Sequence, residues 1–258
     1  MSSNDSIRKT LLVAFSLCIV CSILVSGAVV ILQPIQKVNK TLDLKRNILA
    51  AAGMLDPDKS VEEQFKQVET RVVDLRTGRF TDEVPNPQEY NQRKAARDPK
   101  QSEPLTPQQD IAKIFRREDY SLVYLVPNAK GDIEKIILPI RGYGLWSTLY
   151  GFIALKSDAN TVVGIGFYEH GETPGLGGEV DNPRWKALWP GKEVYRDGEV
   201  QIGLIKGTVD PAAATAPWQV DGLAGATLTS RGVTILVHFW LGKNGFEPFL
   251  NNLRAGEA

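Results

Sequence analysis

The stretch Leu11–Leu32, LLVAFSLCIVCSILVSGAVVIL, runs for 22 residues without one charged side chain. As a helix rising about 1.5 Å per residue it is about 33 Å long, enough to cross a hydrocarbon core of roughly 30 Å. In lipid a lone segment must satisfy its backbone groups internally, so this run has to be helical. The chain then divides into a tail at 1–10, a transmembrane helix at 11–32 and a domain at 33–258. A secretory signal is the competing reading, and Ser26-Gly27-Ala28 resembles a cleavage site. Signal apolar regions are usually only about 7–15 residues long, so an uncleaved anchor is preferred. Orientation stays open on charge. Arg8 and Lys9 precede the run, whereas Lys37, Lys40, Lys45 and Arg46 follow it. Counting alone puts the C-terminal side inside, but long domains translocate largely regardless of charge.

Past residue 32 the chain holds 28 basic and 29 acidic side chains. That balance argues against a nucleic-acid partner, which would require a basic surface. The two cysteines, Cys18 and Cys21, both lie in the apolar run. The rest of the chain therefore has no disulfide, thiolate zinc site or cysteine-held iron–sulfur cluster of its own. One Cys-x-x-Cys pair cannot complete a metal shell without a second pair from a partner. The preferred reading is two small apolar residues on a membrane helix.

The domain reads as α+β, an antiparallel sheet packed with helices. Asn47–Leu55 suggests a short helix stopped by Gly53 and Pro57. Ser60-Val61-Glu62-Glu63 is a capping box, and Val61, Phe65, Val68 and Val72 continue one helical face. The segment 81–107 is polar and contains five prolines, which marks an excursion over the surface. It suits a contact surface and a flexible insertion equally. Ser121–Val126 and Ile133–Ile140 form a hairpin around Asn128–Gly131, and Gly151–Leu155 and Thr161–Phe167 form a second around Asp158–Asn160. Arg184–Trp189 suggests a short helix capped by Asp181, Val200–Lys206 a strand and Phe246–Arg254 a final helix. Ser230–Leu241 is helical in pattern, with Thr229 or Ser230 as N-cap and Gly242 as its stop.

Three Gly-rich stretches carry the chemistry: RGYGLW at 141–146, EHGETPGLGGE at 169–179, and VDGLAGATLTSR at 220–231. The second lacks Gly-x-Gly-x-x-Gly and is followed by Asp-Asn-Pro, so it is not a Rossmann loop. His170, Glu172 and Glu179 do not share one helix face, which disfavours a metal site. No Gly-x-Ser-x-Gly elbow supports a hydrolase, and His238 sits in an apolar helical pattern. The glycines instead allow close backbone approach to a flat polar group, which Trp146 and Leu176 can cover. A helix beginning near Ser230 points its free N–H groups at Thr227–Thr229, a ready phosphate site to which Arg231 adds charge. The Thr227 hydroxyl has no base to activate it. It is better suited to being modified by a phosphoester than to catalysing.

Asp221, Gly222, Gly225, Ala226 and Thr227 match the flavinylation motif Asp-Gly-x-Ser/Thr-Gly-Ala-Thr/Ser of the FMN-binding domain family, which this stretch resembles. Ala224 departs from the usual Ser or Thr. Together with NILAAAGM, LPIRGYGLWSTLYGFIAL and EHGETPGLGGEV, the chain resembles the C-subunit family of the sodium-translocating NADH:quinone reductases over nearly its whole length. The resemblance implies covalent FMN on Thr227 as a phosphoryl threonine, placed there from FAD by a flavin transferase. It implies cofactor contacts at Asp221, Gly225, Ala226, Leu228, Thr229 and Ser230, and at Trp146, Glu172, Thr173 and Leu176 near the isoalloxazine. It further implies a single-pass protein of the bacterial inner membrane with a cytoplasmic tail and a periplasmic domain. Such a chain carries electrons within a six-subunit complex that oxidises NADH, reduces ubiquinone and pumps sodium. Its partners are the membrane subunits and the B subunit, and alone it catalyses nothing. G subunits of the related ferredoxin:NAD oxidoreductase complexes share the motif, but NILAAAG and the 81–107 excursion favour the C-subunit family. A membrane-anchored binding module without cofactor is the remaining alternative.

Overall fold

The computed structural model describes residues 6–258, which fall into two units, one ending at Asp43 and the other spanning Leu44–Ala258. Helix α1 runs from Ile7 to Ala51. Its most apolar 18-residue window has no buried residue, as expected of a surface meant for lipid. The separate helix expected at Asn47–Leu55 is instead the end of α1. Residues 33–46 are rich in Lys, Gln, Leu and Arg, good helix formers that carry the helix past Pro34. The expected stop at Gly53 is observed. Gly53 has φ +63°, and the Met54 and Gly53 N–H groups donate to the Leu49 and Ala50 carbonyls at 2.8 and 3.0 Å. That is a Schellman closure.

The second unit is built on a six-stranded sheet with every pairing antiparallel. A five-residue helix α2 (Val61–Phe65), capped by the Ser60 hydroxyl, precedes β1 (Glu69–Asp74) and β2 (Arg79–Phe80). The helical face expected to continue to Val72 ends at Phe65. Thr70, Val72 and Val73 are β-branched and pair with the sheet instead, where such side chains pack well. Helix α3 (Gln92–Ala95) and the ribbon β3 (Ser102–Pro104) and β4 (Arg116–Glu118) follow. Then come β5 (Tyr120–Pro127), β6 (Ile133–Tyr143), β7 (Thr148–Lys156) and β8 (Val162–Glu169). The order across the sheet is β2-β1-β5-β6-β7-β8. Both expected hairpins are present, with Asn128 and Asp158 carboxamide and carboxylate oxygens accepting backbone N–H bonds inside the two turns.

Alternation along the strands gives the sheet two apolar faces. Tyr124, Ile137, Phe152 and Ala154 pack with Ile48, Leu49, Ala51 and Ala52 from the end of α1. The opposite face, with Val123, Ile136, Leu138 and Ile153, packs with Val233, Leu236, Val237 and Trp240 of helix α5 (Thr227–Leu241). Helix α4 (Pro183–Lys186) is capped by Asn182, not by the expected Asp181, which pairs with His170 at 2.8 Å. The strand expected at Val200–Lys206 is two pieces, one in the pair β9 (Tyr195–Arg196) and β10 (Glu199–Val200), the other β11 (Gly203–Ile205), which runs parallel to β12 (Gln219–Asp221). Helix α6 (Glu247–Ala255) closes the chain.

The polar excursion at 81–107 lies against the sheet. The Tyr90 hydroxyl donates to the Tyr120 carbonyl at 2.9 Å, Gln92 bonds both Glu118 and the Leu122 N–H, and Arg93 makes two 2.7 Å bonds to Glu169. Beneath it, the fully buried carboxylate of Glu118 pairs with Arg141.

Candidate functional site

The N-terminus of α5 gathers all three Gly-rich stretches. The helix begins at Thr227, one turn earlier than the expected Ser230, with Ala226 as N-cap and no side-chain cap bond. The two hydroxyls expected to cap it are used for tertiary contacts. Ser230 Oγ accepts the Leu223 N–H at 2.9 Å, and Thr229 Oγ1 donates to Glu172 Oε2 at 2.6 Å. Both residues are buried, whereas Thr227 and Leu228 are exposed. The Thr227 hydroxyl has no hydrogen-bond partner among the described residues. It stands beside the N–H groups of the first helical turn, which have no intrahelical acceptor.

The motif before it is held by local bonds. The Asp221 carboxylate accepts the Val209 N–H at 2.9 Å, and the Asp221 carbonyl accepts the Trp185 indole N–H at 3.0 Å. Asp221 thus ties the 206–209 turn to the motif. A Cβ on Gly222 would lie 2.3 Å from the Ile205 carbonyl oxygen, too close for any other residue. Gly225 has φ +70°, the left-handed region where a Cβ is costly. These bonds and approaches account for Asp221, Gly222 and Gly225 without any second protein. Ala226 is buried and Ala224 is exposed.

A cleft of about 550 Å³ opens beside this segment, lined in part by Lys206, Thr208, Ala224, Thr227 and Arg231. Nothing in the local sequence marks Lys206 and Thr208 as site residues. They reach the site through the parallel pairing of β11 with β12, and a three-residue parallel pair leaves no periodic signal. The clustering of Lys206 and Arg231 puts two cations around an exposed hydroxyl and a helix N-terminus. That arrangement suits an anion.

Trp146 and Leu176 are not part of the cleft lining; each is displayed by one of the other two loops. Leu176 reaches the motif at Gly225, where an added Cβ would sit 2.9 Å from a Leu176 methyl. Trp146 is 67% exposed, an unusual display for the largest aromatic side chain. Thr173 is exposed, and its carbonyl accepts the Leu176 and Gly178 N–H groups at 3.1 and 2.9 Å. Glu172, expected to contact the polar edge of the isoalloxazine, turns its carboxylate inward. It is buried, and Oε1 accepts the N–H groups of Leu145, Trp146 and Ser147 at 3.0, 3.0 and 3.3 Å. Burial pushes this carboxyl up, but the Thr229 hydroxyl and the three N–H groups outweigh it and hold it below the usual carboxylate range. His170 orients the same loop, accepting the Glu172 N–H at Nδ1. His238 bonds the Ile202 carbonyl at 2.7 Å, away from the motif.

Thr227, Leu176, the Trp146 turn and the cationic cleft edge thus meet at one helix start, while Glu172, Thr229 and Ser230 support it from beneath. Comparison with known proteins identifies the family. The FMN-binding domain family model matches residues 144–242, which include the Trp146 turn, the 169–179 loop and the whole motif. The chain is 56% identical to the C subunit of the Na(+)-translocating NADH-quinone reductase of Pseudomonas aeruginosa, over 100% of both chains. It is similar to the crystal structure of Shewanella oneidensis NqrC, with a TM-score of 0.76 and 36% identity, covering 83% of this chain and 97% of that one. It is also similar to the crystal structure of the corresponding C subunit from Parabacteroides distasonis, with a TM-score of 0.64 and 27% identity over 85% and 96% of the two chains. The chain belongs to the C-subunit family of the Na(+)-translocating NADH-quinone reductases.

Proposed function

We propose that this chain is the single-pass, electron-carrying subunit of a sodium-pumping NADH:ubiquinone oxidoreductase, with FMN joined to Thr227 through a phosphodiester. The observation that carries the reading is the Thr227 hydroxyl, exposed and unpartnered among the described residues at the first position of a 15-residue helix, beside the cleft that Lys206 and Arg231 line. The residues fit the group. A phosphodiester keeps one negative charge, and the free N–H groups of the first turn of α5 face it with a dipole contribution of roughly 0.3–1 kcal/mol. Trp146 and Leu176 offer exposed apolar surface for an aromatic ring. Bound flavin supplies the electron chemistry; the chain supplies attachment, orientation and electrostatic environment.

Attachment asks little of the chain beyond an accessible hydroxyl. Thr227 Oγ1 forms the new O–P bond as the pyrophosphate of FAD breaks, AMP leaves and the hydroxyl proton is lost. No described side chain hydrogen-bonds the Thr227 hydroxyl to activate it, so this work is assigned to a separate flavin transferase. The Leu11–Leu32 span and the family's membership of a membrane-bound reductase support an inner-membrane location. The domain at 33–258 is assigned to the periplasm, where a covalent bond prevents loss of a cofactor that cannot be replenished locally. The other subunits, the B subunit among them, are the electron partners.

The test is a denaturing gel of the full chain, expressed with and without the transferase and viewed for flavin fluorescence before staining. The band should glow only with the transferase, stay bright for Thr227→Ser and go dark for Thr227→Ala. A dark wild-type band in cells that hold the transferase refutes covalent flavin. A bright Thr227→Ala band refutes the acceptor.

A further inference from the structure

We propose that Glu172 is a positioning residue of this site, clasping the Gly144–Ser147 turn to the first turn of α5 and so fixing Trp146 relative to Thr227 without touching the cofactor. The inference rests on Thr227 being the attachment point. Its structural half stands on contacts within this chain.

Three successive backbone N–H groups, those of Leu145, Trp146 and Ser147, converge on one oxygen of Glu172. Consecutive N–H groups pointing inward form a concavity that binds anions. In many proteins a ligand fills such a nest, but here an internal carboxylate does. The other oxygen accepts the Thr229 hydroxyl at 2.6 Å. Thr229 lies two residues after Thr227, in the same helical turn, so one side chain bonds both the turn that displays Trp146 and the turn that displays the acceptor. Glu172 is only 5% exposed, which leaves its carboxylate little surface for a ligand. The packing is tight around it. A Cβ on Gly177 would lie 2.5 Å from Thr229 Oγ1 and 2.8 Å from Glu172 Oε2, and one on Gly144 would lie 2.6 Å from Glu172 Oε1. A second bond, Gly171 N–H to Ser147 Oγ at 2.6 Å, joins the two loops without reaching α5. The backbone of Trp146 is therefore pinned while its side chain stays in solvent, the combination needed to present a fixed aromatic surface.

Glutamine separates geometry from charge. Its carbonyl oxygen can accept the same three N–H groups, and its amide can donate to the Thr229 hydroxyl oxygen. Alanine removes both halves of the clasp, and Thr229→Val removes the helix half alone.

The experiment uses the full chain in detergent, with and without flavin loading. In the unloaded protein, hydrogen–deuterium exchange of the segment around Leu145–Ser147 should rise by roughly tenfold in Glu172→Ala, through easier local opening. It should stay near wild type in Glu172→Gln and fall between the two in Thr229→Val. In the loaded protein Trp146 should quench flavin emission, so Trp146→Ala brightens it. Glu172→Ala should brighten it as well, Glu172→Gln should restore it, and Glu172→Ala in the Trp146→Ala background should add nothing further. Unchanged exchange in Glu172→Ala overturns the clasp. Equal brightening by Glu172→Ala with and without Trp146 overturns the positioning role. Should Glu172→Ala fail to fold, Thr229→Val and Glu172→Gln carry the same comparison: wild-type exchange and emission in Thr229→Val overturn the proposal. If wild type takes up no flavin, the attachment reading fails while the exchange measurement still decides the clasp.

Discussion

Gly225→Ala tests whether the turn before Thr227 demands a left-handed residue. Gly225 has φ +70°, and an added Cβ would lie 2.9 Å from the Leu176 Cδ2 methyl. The conformational cost for an L-residue is roughly 1–2 kcal/mol. The contact with Leu176 adds less to the stability loss, because the far end of an exposed side chain can swing away, but it displaces Leu176. In a unit the size of Leu44–Ala258, each kcal/mol shifts Tm by roughly 2–4 °C, so the expected loss is about 2–8 °C. The full chain in detergent would be melted by tryptophan fluorescence, and flavin incorporation scored on a denaturing gel. Gly225→Asn separates the two causes. It carries the same Cβ but tolerates φ > 0 better, so it should melt between Ala and Gly. Adding Leu176→Ala to Gly225→Ala should relieve the steric part and leave the conformational part. An Ala variant as stable as wild type, or an Asn variant less stable than Ala, would refute the argument from backbone geometry.

Glu172 has a folded pKa held below its ordinary value of 4.5, so the unfolded chain binds more protons in acid. Its contribution is complete above that ordinary value and is lost as pH falls through the folded pKa; Glu172→Gln should flatten this acid limb in pH-dependent denaturant melts. Glu118→Ala leaves Arg141 nearly buried without its partner and should cost about 3–5 kcal/mol by urea denaturation. Glu118→Gln, which still accepts a hydrogen bond, should cost less. Leu24→Asp near the middle of the uncharged run adds about 2.5–3.5 kcal/mol to the cost of insertion. It should move a large fraction of the protein from the membrane pellet to the alkaline carbonate supernatant.

The features most legible in the sequence are those carried by local pattern. The uncharged run, both hairpins and the Gly53 and Gly242 helix stops follow from apolar period, turn residues and glycine placement. Thr227 and its neighbours are legible through the motif. What escapes depends on tertiary partners. Thr229 and Ser230 have the chemistry of N-caps, so the pattern puts the helix start a turn late; only the fold shows that Glu172 and Leu223 take those hydroxyls. Val68 and Val72 fit a helical face, but the pairing of β1 with β5 ends the helix before them. Glu172 sits in a polar, Gly-rich loop, and nothing nearby in sequence indicates that its carboxylate turns inward to meet residues 27 and 57 positions away. Lys206 and Thr208 join the site through a short parallel pairing that no local pattern announces.

Helix α5 bears Thr227 on its first turn and buries Val233, Leu236, Val237 and Trp240 further along. Any group joined to Thr227 would thus be rooted at the exposed end of a helix whose body is packed in the core, not on a loop. Such a group can swing only about its own bonds and the threonine side-chain torsion. Its reach would be set by covalent lengths measured from one fixed point, and whatever exchanges electrons with a flavin attached there would have to come within that reach.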